Sequence, residues 1–310
     1  MNTQSQAVPE FPLGTQSFAA PEISALQRFY WSVRRELWEN RSIYIAPLIA
    51  AGLFLFAYVI NMIVVRRRMH GVFPFDPVHQ HKLLTVPHEV AAAMIMVTAF
   101  IVGIFYSLDA LYGERRDRSI LFWKSLPVSD VTTVLAKLTI PMAVLPLLSF
   151  VVTVAAQFVA LVLSSVVFAG SGLSVATLWT HSSFFHTSLV MLYHIVTVHG
   201  LWYAPFYGWL LLVSAWAPRA PFIWAFLPPV AIYGVERIAF NTSYFLSMMQ
   251  HRLMGPPPHS PLPPGSTVMD EMAAMTLGQF LSEPGLWVGL AIAAVFLAGA
   301  VWLRRNRGPI

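Results

Sequence analysis

The chain has no cysteine and only three lysines, and charged residues make up just 11% of its 310 positions. Without a thiol there can be no disulfide framework, no thiolate metal ligand and no cysteine nucleophile. None of the 17 glycines is followed by lysine, so the backbone cradle and phosphate-reaching lysine of a P-loop are missing. No G-x-S-x-G elbow occurs either, and the HEVAA run beginning at His88 lacks the second histidine of an H-E-x-x-H zinc site. A nucleotide hydrolase, a serine hydrolase of that type and a zinc protease are therefore disfavoured, and no catalytic residue or metal site is assigned. The first forty residues hold no short apolar core ending in a small-residue cleavage site, so the first apolar span is expected to be retained.

What the chain has instead is apolar surface. Hydrophobic residues make up 57% of it and aromatic residues 14%, with a mean hydropathy of +0.64. A soluble globular domain carries about 25% charged residues, whereas runs of about 20 apolar residues cross a bilayer as helices. The expected fold is all-α and polytopic, with six transmembrane helices near 43–65, 89–110, 138–168, 185–216, 221–240 and 285–303. The third and fourth exceed the minimum length, so tilt or a kink is expected, with Pro205 as a kink site in the fourth. An even number of spans puts both termini on one side. That side collects thirteen basic residues, including Arg28, Arg34, Arg35, Arg41, Arg115, Arg116, Arg118, Lys124 and Lys137, against five on the other. Lysine and arginine are retained in the cytoplasm, so both termini are expected there, in a cell (inner) membrane. Arg66, Arg67 and Arg68 dissent, and they leave the end of the first span open.

The organisation then reads as a tail and interfacial helix over 1–42, a membrane domain over 43–303 and a basic tail over 304–310. Before the first span, Ile23, Leu26, Tyr30, Val33 and Leu37 recur at helical spacing, with Arg28, Arg34, Arg35 and Glu36 largely elsewhere. This is the pattern of a helix lying in the headgroup layer with its arginines on anionic lipid. A soluble helix packed on other protein has the same period.

Between the second and third spans, over 111–137, the apolar chain is interrupted by YGERRDRSILFWKSLPVSD, which packs six charges between Glu114 and Lys124. Asp117 is expected to cap a short helix in which Ile120, Trp123 and Leu126 recur every three residues. Pro127 stops it, and Ser129 or Asp130 caps the next. The expected geometry is an amphipathic helix across the cytoplasmic face, apolar side to the bundle and charges outward. A plain solvated loop is the other reading of such a charge run. The stretch ERRDRSILFWKSLPVSDVTTVLAKL resembles the cytoplasmic loop of the ABC-2 type permeases, the membrane subunits of ATP-binding-cassette exporters. The resemblance implies an N-terminal elbow helix, six spans and a coupling helix between the second and third, which docks in a cleft of a separate ATPase subunit. It assigns that role to Glu114, Arg115, Arg116, Asp117, Arg118, Ile120, Trp123, Lys124 and Leu126. It further implies a dimer of permease chains around the pathway, with ATP and Mg held by the partner subunit and no cofactor in this chain.

Glu236 and Arg237 fall about two thirds along the fifth span, where ionisable groups are costly and usually line a cavity or bundle interior. They are pathway or gate candidates, unless the span ends early and both sit at the outer interface. The external segment 241–284 contains a stiff GPPPHSPLPPG spacer and methionine-rich apolar pieces that read as a lid, with Met269, Met272 and Met275 in one and Met248, Met249, His251 and Met254 in the other. Thioethers beside a histidine could also hold Cu(I), but adaptable packing is the simpler reading. His181 and His186, and again His194 and His199, are five residues apart, which on an α-helix separates the members of each pair by about 140° and gives no common ligand face. An ion-coupled secondary transporter is the rival function, though Glu89, Asp109 and Glu236 offer few embedded carboxylates. A membrane-embedded enzyme is the weaker one.

Overall fold

A backbone in hydrocarbon must satisfy its own N–H and C=O groups, and without barrel closure only a helix does so. In the computed structural model every regular element among the described residues is helical. The structure describes residues 24–68, 77–168, 184–255 and 276–310. In chain order the helices are α1 (Ala25–Glu39), α2 (Ser42–Arg68), α3 (Pro77–Ala110), α4 (Tyr112–Arg116), α5 (Ile120–Ser125), α6 (Asp130–Thr139) and α7 (Leu145–Phe168). They continue as α8 (Phe184–His194), α9 (Ala204–Trp216), α10 (Pro221–Phe240), α11 (Tyr244–Met254), α12 (Leu277–Ser282) and α13 (Pro284–Asn306). Two π-helical segments join neighbours end to end, Ile140–Val144 between α6 and α7 and Ile195–Trp202 between α8 and α9.

Among the described residues five stretches are long and apolar enough to cross a bilayer: Ser42–Val64, Val86–Arg116, Asp130–Val166, Pro221–Phe240 and Pro284–Asn306. Thr187–Trp202 and Ala204–Trp216, bent by 48° at their junction, make a sixth if taken as one span. The chain is thus an all-helical, multi-pass membrane protein. The helix carrying Arg66, Arg67 and Arg68 runs on to Arg68, but its apolar stretch ends at Val64.

The fourth span bends at a proline. Pro205 opens α9 and the break falls at Tyr203, because proline offers no amide hydrogen and its ring collides with the carbonyl four residues back. Pro141 sits inside the π turn of the third span. The π segment in the fourth span also corrects the histidine spacing. Its hydrogen bonds close five residues apart, so His194 and His199 are brought toward one side instead of diverging as on an α-helix. His199 packs edge-on against Phe100 and Tyr203, at 6.4 and 5.0 Å between ring centroids. His181 lies outside the described residues.

Small residues set the helix approach. Ala50, Ala51, Ala91, Ala156 and Ala160 are buried between α2, α3 and α7 with Phe54, Tyr58 and Ile95, which is how membrane helices without a hydrophobic drive between them gain contact. α9 and α13 run together closely enough that a Cβ on Gly208 would meet the Ala293 carbonyl at 3.4 Å. α10 stands apart, with Ala225 as its one buried residue, and the Trp209 indole donates to the Ala225 carbonyl at 3.1 Å.

α1 begins with a capping box: the Ser24 hydroxyl accepts from the Gln27 amide at 3.2 Å and the Gln27 side chain accepts from the Ser24 amide at 3.1 Å. Its buried side differs from the expected apolar face. Val33 and Leu37 pack on the core, but Leu26 and Tyr30 are exposed and the one fully buried residue is Glu36. A carboxylate took that place because Tyr106 of the second span, Lys137 of the third and its own neighbour Arg35 supply it with hydrogen-bonding and charged partners.

Candidate functional site

The interruption between the second and third spans is built in two halves. α3 ends at Ala110, where Ser214 of α9 intervenes: its hydroxyl accepts from the Leu111 and Tyr112 amides, each at 3.0 Å, and donates to the Leu108 carbonyl at 2.7 Å. This satisfies the broken helix end and aims α4 back into the protein. Arg118, in the left-handed region with φ 60°, then turns the chain into α5. Ser119 stands at the start of α5, and its side chain makes no capping bond. Asp117 instead ends α4 and binds the Arg116 guanidinium at 2.9 Å, so the expected Asp117 cap is corrected. Ser129 does cap α6, accepting from the Thr132 amide at 3.1 Å.

The expectation that the loop's charges all point outward is also corrected. Glu114 and Arg115 are buried. Arg115 donates to the carbonyls of Ala215 at 2.6 Å and Ala217 at 3.3 Å, meeting the orphan acceptors where α9 ends. The C-terminal tail laces onto the same place: Arg307 donates to the Trp216 carbonyl at 2.6 Å, and the Ile310 amide donates to the Arg115 carbonyl at 3.2 Å.

Glu114 enters a junction of three cations and three carboxylates. Lys137 Nζ lies 2.9 Å from Glu36 Oε1 and 3.2 Å from Glu114 Oε1. Arg304 reaches Glu114 Oε2 at 3.1 Å and pairs with Asp130. Arg35 pairs with Glu36 and reaches Glu114 at 3.3 Å. The Tyr106 hydroxyl donates to Glu36 Oε2 at 2.8 Å. Glu36 is 2% exposed and Lys137 3%. Charges this deep persist only if paired and hydrogen-bonded, and here the signs balance. The junction therefore ties α1, α3, α4, α6 and α13 at one end of the bundle. Burial pushes the Glu36 carboxyl up, but Lys137 and Arg35 outweigh it and hold the group below its ordinary value.

A depressed carboxylate contributes stability that is complete above its unfolded pKa, about 4.3, and is lost as pH falls through the lower folded value. The unfolding midpoint of the wild type should accordingly fall between pH 5 and more acidic buffers. Glu36→Gln should start lower at neutral pH and lose less on acidification. Parallel curves for the two proteins would show that Glu36 does not carry the acid response.

The other half of the loop is free. Ile120 is buried, and the Trp123 ring lies under the Arg35 guanidinium at 3.8 Å, so it faces the junction. Leu121 and Phe122 are 61% and 60% exposed. Around them stand Arg116, Asp117, Arg118, Lys124 and Leu126, all exposed, and Lys124 also donates to the Arg305 carbonyl at 3.3 Å. Of the nine residues singled out in the sequence, Glu114, Arg115, Ile120 and Trp123 are thus the root of the loop, and the other five belong to its outer surface. Sequence reasoning passed over Leu121 and Phe122, which fall off the three-residue period, and it missed Glu36, Lys137 and Arg304 as one assembly with Glu114, as well as Ser214 at the end of α3.

At the opposite end, Glu236 lies in the last turn of α10 and accepts from Thr242 Oγ1 at 2.8 Å and from the Tyr244 and Phe245 amides at 2.6 and 2.9 Å. It anchors the start of α11, and Arg237 donates to the Asn241 carbonyl at 3.3 Å. This is an arrangement of residues where a span ends. α11 is fastened to the bundle by Arg252, whose guanidinium lies over the Trp202 ring at 4.2 Å, donates to the Gly285 carbonyl at 3.0 Å and fills the space where a Cβ on Gly289 would stand. Met248, Met249, His251 and Met254 ride on α11; Met269, Met272 and Met275 lie outside the described residues, as does most of the proline spacer. Comparison with protein families, with curated proteins and with solved structures finds no match for this chain.

Proposed function

We propose that the chain is the membrane subunit of an ATP-driven exporter of the ABC-2 permease type. On this reading it has six spans, with the bent fourth counted as one, and α1 is its elbow helix. Both termini lie in the cytoplasm beneath the inner membrane. Two chains pair around the pathway, and a separate subunit binds and hydrolyses ATP with Mg. The observation that supports it is the loop: a short helix with an exposed apolar tip, Leu121 and Phe122, set on a buried root that grips four long helices. A plain solvated loop needs no such root. A surface that must receive force does, because displacement of the tip then reaches α1, α3, α6 and α13 together.

Reconstitution tests the proposal. The purified chain should hydrolyse no ATP by itself, and ATP-dependent transport should appear in vesicles only when a second, ATP-binding polypeptide is present. Transport by the chain alone, driven by an ion gradient, would establish the secondary-transporter alternative.

A further inference from the structure

Two consecutive arginines on α1 face different sides, since each residue turns an α-helix by about 100°. Arg35 joins the buried junction. Arg34 turns outward, and its guanidinium stacks between two indoles, 5.0 Å from the Trp31 ring centroid and 4.6 Å from that of Trp38. Those indoles are 53% and 63% exposed. Among the described residues no carboxylate pairs with Arg34, although its neighbour Arg35 holds three, Glu36, Glu39 and Glu114. Stacking uses the faces of a guanidinium and leaves its in-plane N–H fork unspent, the geometry that grips a phosphate with two parallel bonds.

The patch also has a place. Trp38 precedes by four residues the first residue of the first span, Ser42, a separation of about one helical turn. It therefore stands where that span enters the bilayer, the level at which tryptophans settle. Tyr30, four residues before Arg34, falls on the same side of the helix and is exposed, as is Arg41 in the turn that follows the helix. A soluble anion would meet this patch only from water, whereas a lipid phosphate is held at that level by its own acyl chains.

We propose that Trp31, Arg34 and Trp38 form a binding site for the phosphate of an anionic glycerophospholipid in the leaflet beside the loop end of the bundle. The site rests on the reading of α1 as an interfacial helix, but not on the transport reaction. Lipid bound there would brace the outer side of the helix whose inner side carries Arg35 and Glu36.

The test is native mass spectrometry of the full-length chain in detergent, offered phosphatidylglycerol and phosphatidylcholine with the same acyl chains. The wild type should retain phosphatidylglycerol in preference, and Arg34→Gln should weaken that retention about fivefold, the worth of one surface arginine. Arg28→Gln, which removes an equal charge without an indole stack, should lower it by clearly less. Trp31→Leu with Trp38→Leu should lower it while keeping the apolar anchor. Among the described residues Arg34 makes no hydrogen bond, so Arg34→Gln should unfold like the wild type in phosphatidylcholine, which separates lost binding from lost fold. Equal retention by wild type and Arg34→Gln overturns the site, and so does an equal loss in Arg28→Gln, which would mean diffuse charge alone. Displacement of the lipid by millimolar inorganic phosphate would assign the fork to a soluble anion instead. None of these readouts requires an ATPase subunit, so failure of the exporter reading leaves them intact.

Discussion

Lys137→Met should destabilise the protein by about 3–5 kcal/mol, the cost of removing one partner from a buried ion pair. Lys137 Nζ is the cation that bridges Glu36 and Glu114, and methionine of similar length would leave both carboxylates buried and facing the same space. Arg35 and Arg304 still reach them, which places the loss toward the lower part of that range. The diagnostic measurement is the double variant. Glu36→Gln on top of Lys137→Met removes the orphaned charge while the amide oxygen can keep accepting from Tyr106. Replacing both partners is far milder than removing one, so the pair should recover most of the stability measured by denaturant unfolding in micelles. Simple addition of the two single losses, as for distant sites, would mean that the two groups do not interact. A Lys137→Met protein as stable as the wild type would remove the junction from any account of the fold.

Phe122→Ala should weaken binding of an ATPase subunit roughly 30-fold, corresponding to about 2 kcal/mol for an interface anchor, and should leave the unfolding of the isolated chain unchanged. The Phe122 ring is mostly exposed and packs edge-on to Trp123 at 4.9 Å, so its removal opens no cavity in the bundle. Trp123→Ala should behave in the opposite manner, lowering stability by uncovering Arg35 and affecting the partner only through the altered root. Reversing Arg118 should do less than either, since exposed rim charges orient a partner more than they hold it. Titration of the purified subunit onto each variant in detergent, beside its melting curve, separates these roles. Partner binding that survives Phe122→Ala but is abolished by Trp123→Ala without loss of stability would make the tryptophan the anchor instead.

Composition and period alone determined that this is a helical membrane protein, where its apolar stretches lie, that the third and fourth exceed the length needed to cross a bilayer and that a charged helix-bearing loop separates the second from the third. These follow from local physics. The hydrocarbon thickness sets span length, proline removes a backbone donor wherever it sits, and Ser129 caps α6 through a bond to a residue three positions on. The tertiary structure alone decided which charges are buried. Glu36 and Lys137 are 101 residues apart, and Glu114 and Arg304 are 190 apart, so no spacing in the sequence could bring them together. Helical period marked Arg34 and Arg35 as polar without telling which faced carboxylates and which faced indoles. It likewise placed Glu114 and Arg115 on a wet surface, because a charge run is usually solvated. What overrode that reading was the supply of partners: a balanced set of cations and carboxylates, and the open carbonyls where α9 ends, made burial of these groups affordable where apolar side chains would have left both unsatisfied.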